Sequence, residues 1–132
     1  MVKNMLQLIN KEKRLAVGLM SGTSLDGVDA ALVEIHGSGM GIKVKLLEFI
    51  TLQYSPEEKD SILRLCLPET SSVDEICRMN VYLGKKMAQA AHEVIHKAGI
   101  EPDNVDFISS HGQTIYHMPE EHATLQIGEL AV

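Results

Sequence analysis

Residues 15–35 read LAVGLMSGTSLDGVDAALVEI: two apolar runs, over 15–20 and 28–35, divided by a polar turn over 21–27. Each run has the length of a strand. The connection is too short to hold the crossover that parallel neighbours need, so the stretch predicts an antiparallel pair. The segment HGSGMG at 36–41 is dense in glycine and reads as a second hairpin loop. Beyond it, Ile42, Val44 and Leu46 alternate with Lys43 and Lys45, the pattern of a strand with one dry and one wet face. That alternation slips at Leu46-Leu47, where a bulge or deeper burial is expected. The opening third of the chain is therefore expected to fold as a three-strand antiparallel meander.

Helical signals follow. Ser55-Pro56-Glu57-Glu58 supplies an N-cap, a proline at the first helical position and an acid at the third. This short helix should stop before Pro68. Ser72-Val73-Asp74-Glu75 has the form of another capping box. Behind it Val73, Ile76, Cys77, Asn80, Gly84, Met87, Ala91, Val94, Ile95 and Ala98 recur at helical spacing. Gly99 stands where a C-cap belongs, and Pro102 lies just beyond. Small residues at Gly84 and Ala91 would let this long helix lie close to a sheet. A strand is expected over 105–109, a loop over 110–114 (SHGQT) at its end, and a further strand over 124–127.

Three strands, a helix and a strand predict an α/β layer with a mixed sheet. Ligands in such sheets bind beyond the strand ends. The two polar loops, 21–27 and 110–114, are thus candidates for one cleft. Residues 1–14 read as a polar lead-in ahead of a single domain over 15–132.

Charge and cysteine usage narrow the function. The net charge of −6 argues against nucleic acid, whose phosphates call for Lys and Arg clusters. No apolar run approaches the roughly 20 residues of a membrane helix, and the first residues lack the apolar core of a signal peptide. A cytoplasmic location is expected. Cys66 and Cys77 fall among apolar residues, and their spacing matches no zinc or redox motif, so both are read as core-filling thiols. The segment HEVIH at 92–96 matches the H-E-x-x-H pattern of zinc peptidases, with His92 and His96 as ligands and Glu93 as base. At about 100° per residue, however, the two histidines fall on the face of Arg78, Lys85 and Gln89, away from the apolar stripe. They are read as solvated.

The turn over 21–27 is not a Walker loop, because Val28 follows Gly27 where a lysine is required. It is not a dinucleotide fingerprint, because it leads into a β-type run. Its amides can still converge on phosphate oxygens. Ser21, Thr23 and Ser24 add hydroxyl donors, and Gly22 and Gly27 let the backbone come close. A carboxylate at Asp26 would repel phosphates unless a divalent ion sits between, and Mg²⁺ commonly binds through one or two carboxylates, waters and phosphates. Asp26 is the candidate Mg²⁺ contact, direct or through water. The bland alternative is an ordinary hairpin with Asp26-Gly27 as a type I′ turn. His111, alone at a strand end, reads first as structural or solvated; the Gln113 amide and Thr114 hydroxyl beside it favour contact with a polar ligand. Tyr116, His117 and His122 read as a surface loop.

Taken together, GLMSGTSLDGVDAAL, SSHGQTIYHMP and TLQIGELAV resemble, in order, the N-terminal part of anhydro-N-acetylmuramic acid kinases, within the actin, sugar-kinase and Hsp70 superfamily. The likeness covers about residues 15–132. It implies a ribonuclease-H-like (actin-like ATPase) N-terminal lobe. It also implies ATP and Mg²⁺ as cofactors, an amino sugar as substrate, and a homodimer in keeping with the family. The family hydrolytically opens and phosphorylates 1,6-anhydro-N-acetylmuramic acid to N-acetylmuramic acid 6-phosphate in peptidoglycan recycling. By resemblance Gly22, Thr23, Ser24, Leu25, Asp26, Gly27, Val28 and Asp29 form the first ATP phosphate loop. His111, Gln113, Thr114 and Gln126 belong to the sugar wall, with Gly128 nearby. The family's catalytic base, second phosphate loop and adenosine pocket lie further along its chains. No acid here is assigned that role, and this chain alone is expected to be inactive. The alternative is a non-catalytic ligand-binding or interaction module.

Overall fold

A computed structural model describes residues 2–131 of the chain. In chain order the elements are α1 (Val2–Asn10), β1 (Lys13–Ser21), β2 (Gly27–His36), β3 (Lys43–Gln53), α2 (Pro56–Leu65), α3 (Val73–Lys97), β4 (Phe107–Met118) and β5 (Ala123–Ile127). Short 3₁₀ turns occupy Gly39–Gly41, Pro102–Asn104 and Pro119–Glu121. Among the described residues the strands form one mixed sheet in the order β3-β2-β1-β4-β5.

The antiparallel meander forms as its short connections require. β1 pairs with β2 from Lys13↔His36 to Ser21↔Val28, and β2 pairs with β3 from His36↔Lys43 to Gly27↔Gln53. The slip expected at Leu46-Leu47 is real: Leu32 pairs with Glu48 and Val33 with Leu46, so Leu47 is the extra residue of a bulge. β4 then runs parallel to β1, from Ala16↔Phe107 onward. The intervening helices α2 and α3 supply the crossover that a parallel pair needs.

α2 begins as its residues dictate. Ser55 Oγ accepts from the Glu58 amide at 3.1 Å, the Glu58 carboxylate accepts from the Ser55 amide at 2.6 Å, and Pro56 occupies the first turn. α3 begins one residue after Ser72, but the second capping box does not form. The Ser72 hydroxyl donates to the Glu75 carboxylate instead of accepting from an amide. At the other end Gly99 takes a left-handed conformation just past the C-cap Ala98.

The main core lies between the sheet and α3. Val17, Leu19, Val28, Ala30 and Leu32 from β1 and β2 meet Met87, Ala90, Ala91, Val94 and Ile95. A second cluster joins Leu25, Ile62, Leu65, Leu83, Ile115 and Ile127, so it ties the β1–β2 turn to α2, α3, β4 and β5. Tyr54 packs against both clusters. No helix among the described residues is long and apolar enough to cross a membrane.

Four further expectations need correction. Residues 2–10 of the polar lead-in form a helix, and β1 starts at Lys13. The Arg14 guanidinium donates to the carbonyls of Leu8 and Ile9 at 2.9 Å, closing the end of α1 from outside it. The segment SHGQT is not a loop. β4 runs straight through it, because its second half gains a new antiparallel partner in β5, from Gln113↔Ile127 to Met118↔Ala123. For the same reason Tyr116 and His117 are exposed strand residues, and only His122 lies in a turn. Cys77 is exposed, because the first turns of α3 lie at the margin of the second cluster, where Ile76 and Met79 are themselves only partly covered; Cys66, at the C-cap of α2, packs half-buried against that cluster.

Candidate functional site

The turn between β1 and β2 is short and firmly seated. The Leu25 amide donates to the Gly22 carbonyl at 3.2 Å, and Leu25 itself takes φ +52°. A bulky residue tolerates that conformation poorly. Here its side chain is 3% exposed within the second core cluster, and packing holds the backbone there. The positive φ falls on Leu25 and not on Asp26 or Gly27, so the type I′ alternative does not form. Gly27 is required for a different reason. A Cβ on it would stand 2.4 Å from the Leu52 carbonyl oxygen, so β3 can come this close only to a glycine.

Leu25 thus presents backbone and not side chain to any ligand, and so does Val28, which is wholly buried in the main core. Thr23, Ser24 and Asp26 are exposed at the tip. The amides of Thr23 and Ser24 donate to no carbonyl among the described residues. The Asp26 carboxylate pairs with no cation among them. Two free amides, two hydroxyls and one unpaired carboxylate on a single turn form a donor set that fits a phosphate with a divalent ion beside it. Asp29 stands apart from this tip. It is the third residue of β2, and its carboxylate accepts from Thr51 Oγ1 of β3 at 2.6 Å.

Register brings the second predicted segment alongside the first. Ser21, the last residue of β1, is paired with Gln113 of β4. One extra residue of β4 lies between that pair and Leu19↔Ser110, and Gly112 absorbs it with φ +73°. A Cβ on Gly112 would fall 2.7 Å from the Ile127 carbonyl oxygen, so the same glycine also lets β5 approach. Thr114 pairs with Gln126, whose Nε2 donates to Thr114 Oγ1 at 3.1 Å and to Thr124 Oγ1 at 2.7 Å. His111 is exposed.

Gln113 differs from these three. It is 2% exposed, its Nε2 donates to the Thr114 carbonyl at 3.0 Å, and its Oε1 accepts from the Ser21 hydroxyl. Ser21 is 3% exposed and is also bonded, at 2.8 Å, to the Tyr54 hydroxyl. Burial pushes the Tyr54 phenol above its ordinary value, and the Glu58 charge adds to the shift. Lys86 sits 5.6 Å above the Tyr54 ring and bonds Glu58. Sequence reasoning assigned no role to Tyr54, because its partners lie far from it along the chain. After β5, Asn80 of α3 holds the backbone through its Oδ1 to the Gly128 amide and its carbonyl to the Glu129 amide.

On α3, His92 and His96 are exposed, as the helical phase requires, and Glu93 accepts from Gln89 at 2.8 Å.

Residues 14–132 match the family model described as Anhydro-N-acetylmuramic acid kinase. Curated proteins bearing that name include one from Caldanaerobacter subterraneus subsp. tengcongensis, 50% identical across 97% of this chain and 34% of its own length. Another, from Clostridioides difficile, is 54% identical across 89% of this chain and 32% of its own. A third, from Bacillus cereus, is 47% identical across 87% of this chain and 31% of its own. The chain thus spans about a third of the length of the curated relatives it matches.

Proposed function

The chain belongs to the anhydro-N-acetylmuramic acid kinase family, and on that premise we propose that it acts as the N-terminal lobe of an ATP-dependent amino-sugar kinase with an actin-like, ribonuclease-H-like fold. The reaction is the hydrolytic opening and phosphorylation of 1,6-anhydro-N-acetylmuramic acid to its 6-phosphate, in peptidoglycan recycling. The setting is cytoplasmic, and the complete enzyme is a homodimer. The single observation that carries this reading is the lysine-free turn over 22–26, with its exposed Thr23, Ser24 and Asp26 and its free amides, held beside the 111–114 segment by the Ser21↔Gln113 pair.

In this reading the turn binds the ATP phosphates through the amides and hydroxyls of Thr23 and Ser24. Gly22 keeps the backbone accessible, while Gly27 lets β3 close against the turn and Leu25 and Val28 anchor it from below. Asp26 is the residue that would hold Mg²⁺, directly or through water. When bound, the ion supplies neutralisation of phosphate charge. Asp29 supports the base of the turn through Thr51. On the sugar side His111, Thr114 and Gln126 offer polar groups at the surface of β4 and β5, and Gln113 supports them from beneath. Phosphoryl transfer depends chiefly on positioning and charge stabilisation. The water-activating carboxylate is not assigned to any acid in this chain; it belongs to the part of the family's length that this chain does not match.

The test is amide chemical-shift mapping of the isotopically labelled chain. Mg·ATP should shift residues 22–29 with Asp26→Asn weakening the Mg²⁺ dependence, and the anhydro-sugar should shift 111–114 and 126. Shifts scattered over α1 or the outer face of α3, with the turn silent, would remove the phosphate reading. A coupled assay for ADP release should show no turnover by this chain alone.

A further inference from the structure

We propose that Tyr54 is the positioning residue of the 22–26 turn, bracketing it from both ends; this rests on the reading of that turn as a phosphate loop. The Tyr54 amide donates to the Asp26 carbonyl at 3.0 Å, just ahead of β2. Its hydroxyl reaches the Ser21 hydroxyl at 2.8 Å, at the end of β1. One residue at the close of β3 therefore spans the mouth of the turn.

The direction of the side-chain chain follows from counting protons. The Gln113 amide is oriented by its Nε2 donation to the Thr114 carbonyl, so Oε1 faces Ser21 and can only accept. The single Ser21 proton goes to that oxygen. The Tyr54 hydroxyl must then donate to Ser21 Oγ, and the order reads Tyr54 to Ser21 to Gln113 to the Thr114 backbone. The chain runs from the foot of the turn to the residue that contacts Gln126. It works only while Tyr54 keeps its proton, and the half-buried setting between the two core clusters favours that form. Lys86 over the ring and Leu25 in the core below hold the tyrosine and the tip of the turn in place. Tyr54 touches no reacting group in this arrangement. It acts through Ser21 and Asp26, fixing where the amides of Thr23 and Ser24 point.

Tyr54→Phe keeps the ring and the backbone donor and removes only the hydroxyl. The proposal expects the Leu25 amide, which closes the turn onto Gly22, to exchange with solvent about five- to tenfold faster in this variant, the equivalent of one ordinary hydrogen bond. Amides of Leu32 and Val94 in the main core should keep their rates. Ser21→Ala should give the same acceleration, and adding Tyr54→Phe to it should give little more. The dissociation constant for Mg·ATP, followed by the shifts of 22–29, should rise in both variants. Unchanged Leu25 exchange in Tyr54→Phe would overturn the proposal, and so would full additivity of the two substitutions. If Mg·ATP leaves the turn of the unsubstituted chain unshifted while Tyr54→Phe still accelerates exchange, the phosphate reading falls and the bracket alone stands.

Discussion

Lys86 and Glu58 face each other across the seam between α3 and α2, with Nζ 2.8 Å from one carboxylate oxygen and 3.0 Å from the other, each side chain 15% exposed. The same carboxylate accepts from the Ser55 amide and the Tyr82 hydroxyl. Four donor contacts from three residues thus meet on one group. Lys86→Met should leave that carboxylate without the cation it pairs with and cost about 2 kcal/mol, the scale of a hydrogen bond to a charged group. Urea denaturation measures it. A loss below about 0.5 kcal/mol would show that the pair is worth no more than an exposed one.

The same cluster sets a pH dependence. Burial alone would raise the Glu58 carboxyl, but the bonds from Lys86, Tyr82 and the Ser55 amide outweigh it and hold the group below its ordinary value of 4.5. The folded state therefore favours the ionised form. Its contribution is present above 4.5 and is lost as the pH falls through the lowered folded value. Tyr82 behaves in the opposite sense: its bond to Glu58 pushes it up to about 12, so its contribution is present below 10.0 and is lost as the pH rises through about 12. Ultraviolet titration should show two late-ionising tyrosines, Tyr54 raised chiefly by burial and Tyr82 chiefly by its bond to Glu58. Glu58→Gln should bring Tyr82 back toward its ordinary value and flatten the acid limb of the stability profile.

Gly27→Ala should destabilise the chain by about 2 kcal/mol or more, because the new methyl meets the Leu52 carbonyl and the Gln53 backbone, neither of which is a movable side-chain end. Exchange of the Tyr54 amide, bonded to the neighbouring Asp26 carbonyl, should quicken with it.

Leu25→Ala removes the anchor at the tip of the turn but keeps the left-handed backbone. Loss of a side chain that is 3% exposed should cost about 3 kcal/mol. Calorimetric or urea unfolding that changes by less than about 1 kcal/mol would mean that the turn relaxes into the space.

The two thiols should differ in reactivity. Cys77 is exposed, whereas Cys66 is half-buried, donates to the Ile62 carbonyl at 3.3 Å and has its thiol pushed up by burial. A thiol reagent at neutral pH should modify Cys77 first, with Cys66 slow until the chain unfolds. Equal rates would contradict this arrangement.

Much of the fold was legible one segment at a time. The meander follows from short connections, the bulge at Leu47 from a broken alternation, α2 from Ser55-Pro56-Glu58, and the outward histidines of α3 from helical phase. Each depends on residues a few positions apart, where chain geometry leaves few options. The candidate site was legible as a list of residues but not as an arrangement. His111, Gln113 and Thr114 read as equals along the chain, yet Gln113 is buried and bonded while His111 is exposed.

By itself the sequence determined the meander, the start of α2 and the phase of α3, because periodicity and capping act locally. The tertiary structure alone decided that β4 continues through SHGQT to pair with β5, that Arg14 ends α1, and that Tyr54 reaches both Ser21 and Asp26. Those outcomes depend on which strand lies beside which and in what register. A register shift of one residue turns every side chain to the opposite face, so contacts between distant positions are settled only when the sheet closes on its helices.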